Sequence, residues 1–261
     1  MNKPLVSIIT VVLNDVSHIE QTIKSICNQT YKNIEYIIID GGSTDGTVDI
    51  IKKYKNMISY YVSEKDHGIF DAMNKGAMKS RGDYINFINS GDWHESRYID
   101  EILIRNIADE SDYYHSNMKA SGVIIRPMIK SNRFLFHMAN PVLHPTMIIK
   151  KDLFQMVGGF NLNYKLASDH DLILKLENIG AKSTYINDAY TNFELGGASS
   201  SSHALSESSN ILMKHGQYKY ICLIIFIYIK IKLKLIKSIF KWKIIFGCYL
   251  LPCFHFLVFF L

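Results

Sequence analysis

Apolar runs alternate with helical intervals through roughly the first ninety residues. Residues 6–13 form a short run rich in β-branched side chains, which predicts a buried strand. Ser17 and Glu20 have capping-box spacing, and Ile19, Ile23 and Ile26 follow at helical intervals, so a helix is expected there. Residues 34–39 predict a second buried strand ending at Asp40, 48–54 a helix, and 58–62 a third strand. Residues 68–79 predict a helix with Ile69, Met73 and Ala77 on its apolar face, and 84–88 a fourth strand. This order predicts an α/β fold with a mostly parallel, doubly wound sheet. The strands are nearly continuous apolar runs, as helices on both faces require. Beyond about residue 95 the pattern is less regular, and Pro127, Pro141 and Pro145 interrupt it. A short strand is expected over 147–149 and helices over 151–157 and 169–179, closed by Gly158-Gly159 and Gly180.

In such sheets ligands bind beyond the carboxyl ends of the strands. The polar clusters fall there: Asn14-Asp15, Asp40 to Asp45, Ser63 to Asp66, and Asn89 to Asp92. The 261 residues suffice for one α/β domain, expected over 1–211, plus an appendage over 212–261. Cys27, Cys222, Cys248 and Cys253 form no CxxC pair, which argues against a disulfide framework or a zinc site and for a reducing compartment. Residues 212–261 hold eight lysines and no acid; against a net charge of +5, the preceding 211 residues carry −3. A weakly acidic body does not suit nucleic acid, whereas a basic, apolar tail suits an anionic lipid surface. Residues 244–261 are uncharged, and a helix of that length spans roughly 27 Å. Pro252 and His255 interrupt it, so a spanning and an interfacial segment both remain open. Asn14 and Asp15 cut off the first apolar run too early for a signal peptide.

Four segments carry candidate chemistry. DGGSTDGT, residues 40–47, links a strand to a helix whose N-terminus favours an anion. No GxGxxG and no Walker lysine accompany it, which excludes a dinucleotide fingerprint and a P-loop. SEKDHGIFDAMNKG, residues 63–76, puts Asp71, Asn74 and Lys75 on one helix face just after Asp66 and Gly68. That face is either solvated or a phosphate site, where Lys75 would act as a point charge. NSGD, residues 89–92, ends a strand on Asp92, a turn cap or a ligand for a hard divalent cation, Mg²⁺ or Mn²⁺. In ASDHDL, residues 167–172, Asp169 is either a first-turn acid favoured by the helix dipole or a general base. His144, ahead of Pro145, is either structural or an acceptor-side residue.

In order along the chain, SIITVVLN, IIIDGGSTDGT, SEKDHGIFDAMNKG, NFINSGD, HPTMIIKKDLF with GGF, and ASDHDLILKL resemble the family 2 glycosyltransferases of GT-A fold. The resemblance spans roughly residues 4 to 200 and is nearest to the bacterial branch that builds O-antigen, capsule and other exopolysaccharides. It implies an inverting transfer of a hexose or N-acetylhexosamine from a nucleotide sugar, by family habit a UDP-sugar. It implies that Thr10, Val12, Asn14 and Asp40 border the base, with Asp45 near it or the ribose. Asp66, Gly68, Asp71, Asn74 and Lys75 would shape the ribose, phosphate and sugar pocket. Asp92 would be the surviving acid of the DxD-type cation motif, Asp169 the catalytic base, and Gly196 to Ser199 a loop over the donor. Ser90 departs from the motif's first acid, Trp93 from a further acid, Gly41 from the second acid of DDGS, and Ser168 from a frequent Glu. With the tail, the resemblance implies a lipid-linked saccharide acceptor at the cytoplasmic face of the membrane. The alternatives are a polyprenyl-phosphate glycosyltransferase and a non-catalytic nucleotide-sugar-binding scaffold.

Overall fold

The computed structural model describes residues 3–104, 110–127, 142–194 and 202–216. The chain divides into two compact units, Met1–Gly216 and Gln217–Leu261. The second unit and the Gly196–Ser199 loop lie outside the described residues, so the tail and donor-loop expectations are not addressed by the fold. Among the described residues no helix is long and apolar enough to cross a membrane.

The strands are β1 Val6–Val12, β2 Ile34–Asp40, β3 Tyr60–Ser63, β4 Tyr84–Asn89, β5 Trp93–His94, β6 Tyr113–Ala120, β7 Val123–Ile125, β8 Ile148–Lys150 and β9 Ser183–Phe193. The helices are α1 Ile19–Cys27, α2 Thr47–Lys53, α3 Ile69–Lys79, α4 Lys151–Met156, α5 Ser168–Asn178 and α6 Ser202–Lys214. They build one sheet of order β3-β2-β1-β4-β8-β6-β9-β5, with β7 paired to β6. β3, β2, β1 and β4 are parallel, as the alternating pattern requires. β8 then runs antiparallel to β4 and β6, β9 is parallel to β6, and β5 is antiparallel to β9. The sheet is therefore mixed but mostly parallel.

Alternate residues of the strands feed two apolar layers. Ile9, Val11, Ile37, Ile39, Ile85 and Phe87 meet Phe70 and Met73 of α3 and Leu172 and Leu176 of α5. Ile8, Ile38 and Ile88 meet Ile19, Ile23 and Ile26 of α1 and the turn carrying Ile99 and Ile102. The pleat has period two, so a helix layer on each face buries every residue of β1.

Two local expectations are corrected. The Ser17–Glu20 capping box does not form: His18 is the N-cap, without a side-chain cap bond. Glu20 instead accepts from the Tyr54 hydroxyl at 2.6 Å, and the Asp15 carbonyl takes the Ile19 N–H at 3.2 Å. On α3, Phe70 rather than Ile69 enters the core with Met73 and Ala77, and Ile69 is 39 % exposed. The helix begins at Ile69, and the positions that face the sheet start one residue later.

Register aligns the carboxyl ends. Val12 pairs with Asp40, Asp40 with Ser63, and Val11 with Asn89. The loops leaving these strands therefore emerge side by side along one edge of the sheet.

Candidate active site

The loops after β1 and β2 are tied to each other by polar side chains. Asp40 is fully buried and accepts from Gly42 N–H at 3.2 Å, Ser43 N–H at 2.9 Å and the hydroxyls of Ser43 and Ser63. Asn14, with φ of 50°, accepts the Thr44 N–H at 2.8 Å, and its own N–H goes to Ser43 Oγ at 2.7 Å. Asp45 accepts from Thr47 Oγ1 at 2.6 Å, Val16 N–H at 2.9 Å and Thr47 N–H at 3.0 Å. These bonds, the Thr47 hydroxyl foremost, hold its carboxyl below the usual range. Thr10 and Val12 are buried in the sheet beneath, with the Thr10 hydroxyl 3.1 Å from the Tyr36 hydroxyl.

The segment entering α3 divides its polar residues among three tasks. Asp66 accepts the Gly68 N–H at 2.9 Å, where Gly68 takes φ of 117°. The other Asp66 oxygen would lie 2.6 Å from a Cβ at position 41, so the glycine found there makes room for this carboxylate. Asp71 accepts the His67 N–H at 3.0 Å and pairs with Lys75 at 3.4 Å; Lys75 also meets Glu64 at 3.1 Å. Burial pushes the Asp71 carboxyl up, but the His67 N–H and the Lys75 ammonium outweigh it and leave it lowered. Asn74 turns away and makes a two-point bond to the Phe160 backbone, at 3.0 Å to N–H and 2.8 Å to C=O.

A cavity of about 650 Å³ opens beside this group. Asp15, Ser90, Asp92, His144, Asp169 and Glu194 line it; Thr10, Val12, Asn14, Asp40, Asp45, Asp66, Gly68, Asp71, Asn74 and Lys75 do not. Asp169 stands in the first turn of α5, as expected, with Oδ2 3.4 Å from His144 Nδ1. Their side chains are only 16 % and 17 % exposed, and His144 Nε2 is buried without a hydrogen-bond partner among the described residues. Asp92 is 3 % exposed; Oδ1 accepts the Glu194 N–H at 3.3 Å, and Oδ2 has no hydrogen-bond partner among the described residues. Burial pushes the Asp92 carboxyl up to about 7, against the pull of His144.

A buried network fixes the turn that carries His144. Asn86 Nδ2 donates to the carbonyls of Pro145 at 3.1 Å and Met147 at 2.9 Å, and the Tyr98 hydroxyl donates to the Thr146 carbonyl at 2.6 Å. His94 bridges Asn86 Oδ1 and Thr191 Oγ1 at 2.9 Å each and stacks on Tyr98 at 4.0 Å. Burial lowers its pKa to about 3, so it is neutral. Asn86 has given its N–H groups to carbonyls, so its Oδ1 must accept, and His94 carries its proton on Nε2. On the opposite wall, Glu207 of α6 accepts the N–H groups of Lys165, Leu166 and Ala167 at 3.0, 2.7 and 3.1 Å, just before Asp169. Asp171 meets His215 at 2.9 Å and Lys175 at 3.0 Å.

The resemblance implies a divalent cation, and Asp92 fits one: a hard oxygen on the cavity wall, buried and lacking a hydrogen-bond partner among the described residues. Among the described residues no three Asp, Glu, His or Cys side chains form a cage by themselves. Asp15, His18, Glu194 and Glu207 were not singled out as site residues. Asp15 had a signal, its place at a strand's carboxyl end. Glu207 had none, because its bonds go to backbone about forty residues away.

The sequence pattern of glycosyl transferase family 2 matches residues 7–163. An uncharacterized glycosyltransferase of Mycobacterium tuberculosis is 30 % identical over 179 residues, 66 % of this chain and 68 % of that protein. The structure of S. aureus TarS 1-349 in complex with UDP-GlcNAc superposes with a TM-score of 0.68 at 18 % identity, over 81 % of this chain and 66 % of that one. The mannosyltransferase PcManGT from Pyrobaculum calidifontis, in complex with GDP-Man and Mn²⁺, gives 0.62 at 18 % identity, over 82 % of this chain and 64 % of that one. The chain spans just under two thirds of each of these two structures.

Proposed function

The chain belongs to glycosyl transferase family 2, and from that premise we propose that it moves a hexose or N-acetylhexosamine from a nucleotide sugar, a UDP-sugar, to a hydroxyl of a lipid-linked sugar. The transfer inverts the anomeric centre and serves cell-surface polysaccharide assembly, of O-antigen or capsule type, at the cytoplasmic face of the membrane. The observation that carries this reading is the cavity that gathers Asp169, His144 and Asp92 beside the loops of β1 and β4.

An acceptor hydroxyl is a poor nucleophile until its proton is taken as it attacks. Asp169 takes that proton. His144 Nδ1 keeps the carboxylate turned into the cavity. Asn14, Asp40 and Asp45 brace the loops over which the base and ribose lie, and Asp66, Asp71 and Lys75 border the phosphate side. Asp92 would hold a Mg²⁺ or Mn²⁺, which when bound neutralises charge on the departing diphosphate. The apolar wall of Ile69, Phe70, Leu143 and Phe193 excludes water that would compete with the acceptor.

The charge of the cavity favours a hydroxyl acceptor over a lipid phosphate. Among the described lining residues the acids Asp15, Asp169 and Glu194 outnumber the lysine, Lys165, and a phosphate nucleophile would be repelled. The basic, apolar tail supports a membrane-borne acceptor.

The test is turnover. Membranes carrying the protein are incubated with UDP-, dTDP- and GDP-sugars, Mn²⁺ or Mg²⁺, and either a synthetic lipid diphosphate-linked sugar or a lipid monophosphate. Transfer to the sugar is expected. Transfer only to the monophosphate, or nucleotide binding with no transfer from any donor, would contradict the reading.

A further inference from the structure

Ser90 stands where the resemblance calls for the first acid of the cation motif, and a serine hydroxyl brings no charge of its own. Another part of the chain supplies one. Asp15, from the loop after β1, turns Oδ2 toward Ser90, whose Oγ donates to it at 2.6 Å. The same oxygen lies 3.9 Å from where a Cβ on Gly91 would stand, and Glu194 Cβ lies 3.6 Å from that point, so both acids approach the turn leading to Asp92. Gly91 takes φ of 94°, which keeps this position small for a second reason. Asp15 Oδ1 lies 2.6 Å from His18 Nδ1, which holds the carboxylate in this direction. Asp15, Ser90 and Asp92 all line the same cavity, and Asp92 Oδ2 is buried there without a hydrogen-bond partner among the described residues.

We propose that the Asp15–Ser90 pair replaces the missing acid and forms, with Asp92, the protein's half of a divalent-cation site. The proposal rests on the donor reading above, since the remaining ligand oxygens are those of a nucleoside diphosphate. Charge and ligand chemistry both support it. Two carboxylates restore the charge of a two-acid motif, the second of them, Asp15, at a quarter-exposed position. A hydroxyl that donates its proton to a carboxylate leaves its lone pairs for a hard cation, and partners of this kind tune metal affinity about 10- to 100-fold.

Calorimetry with UDP and with GDP, each with and without Mn²⁺, tests this on the full chain, alongside Mn²⁺ titration followed by electron paramagnetic resonance. The wild type binds one nucleotide, and Mn²⁺ tightens it. Asp15→Asn loses about 10- to 100-fold of the Mn²⁺-dependent gain. Ser90→Asp placed in the Asp15→Asn background restores the gain, an outcome a loop-building role for Asp15 does not produce. A full Mn²⁺ gain in Asp15→Asn overturns the proposal, as does a loss that Ser90→Asp fails to restore. A wild type that binds nucleotide with no Mn²⁺ effect overturns the cation site and leaves the donor reading standing. A wild type that binds neither nucleotide overturns the donor reading and the proposal with it.

Discussion

In the loops after β1, β2 and β3, Asn14, Asp40, Asp45 and Asp66 spend their oxygens on backbone N–H groups of the same loops. Across β4 the arrangement is reversed. Asp92 Oδ2 and His144 Nε2 have no hydrogen-bond partner among the described residues, and other buried residues hold the Asp92 backbone and the turn after His144 in place. The first region builds a rigid cradle from polar side chains. The second keeps polar atoms open and lets Asn86, His94, Tyr98 and Thr22 bear the cost of orientation.

The largest effect expected from breaking this contrast is at Asp169. Asp169→Asn should slow transfer about 10²- to 10⁴-fold while donor affinity holds within about twofold. An equal fall in donor affinity would move Asp169 from chemistry to scaffold.

The network behind His144 should make the fold acid-sensitive. His94 has a folded pKa of about 3 against 6.5 for the free group, so below pH 6.5 the unfolded chain binds more protons than the native one. Stability then falls as pH drops from 6.5 toward 3, by up to about 4 kcal/mol. Urea midpoints across that range should show the slope, and His94→Gln should flatten it. An unchanged slope would remove His94 as its source.

Asp40→Asn puts an N–H₂ against donors already pointing at it and should cost about 1–3 kcal/mol by urea denaturation, with weaker nucleotide binding. Unchanged stability would show that the cradle does not depend on Asp40. The smallest effect belongs to Glu207→Gln, which keeps one acceptor oxygen for the 165–167 segment. It should lower stability by about 0.5–1.5 kcal/mol and reduce kcat a few-fold with little change in donor KM. A rise in donor KM with kcat intact would show that α6 acts on the donor side instead.

The parallel half of the sheet was legible because its strands are apolar runs between helices, and their ends carry turn residues. Each of the four strands lies within two residues of its expected bounds. β6 was not legible: YYHSNMKA is polar by composition yet almost wholly buried, because Ser116 and Asn117 find partners on β9 and on the turns beside it. β5, of two residues, and the exchange among Asn86, His94 and Thr191 leave no periodic trace. The capping box failed because Tyr54, the residue after α2, competed for Glu20. At the site, Asp92, His144 and Asp169 were identified along the chain, but their convergence comes from β8 running back against β4, a long-range choice that local pattern does not encode. Gly41 read as a lost acid, whereas the fold uses it as room for Asp66.

The central claim is that Asp169 activates an acceptor hydroxyl for a single in-line displacement. The most direct measurement is the anomeric configuration of the transferred sugar, by nuclear magnetic resonance of the product formed from an α-linked nucleotide sugar. A β-linked product is expected. An α-linked product would mean retention and would contradict the account.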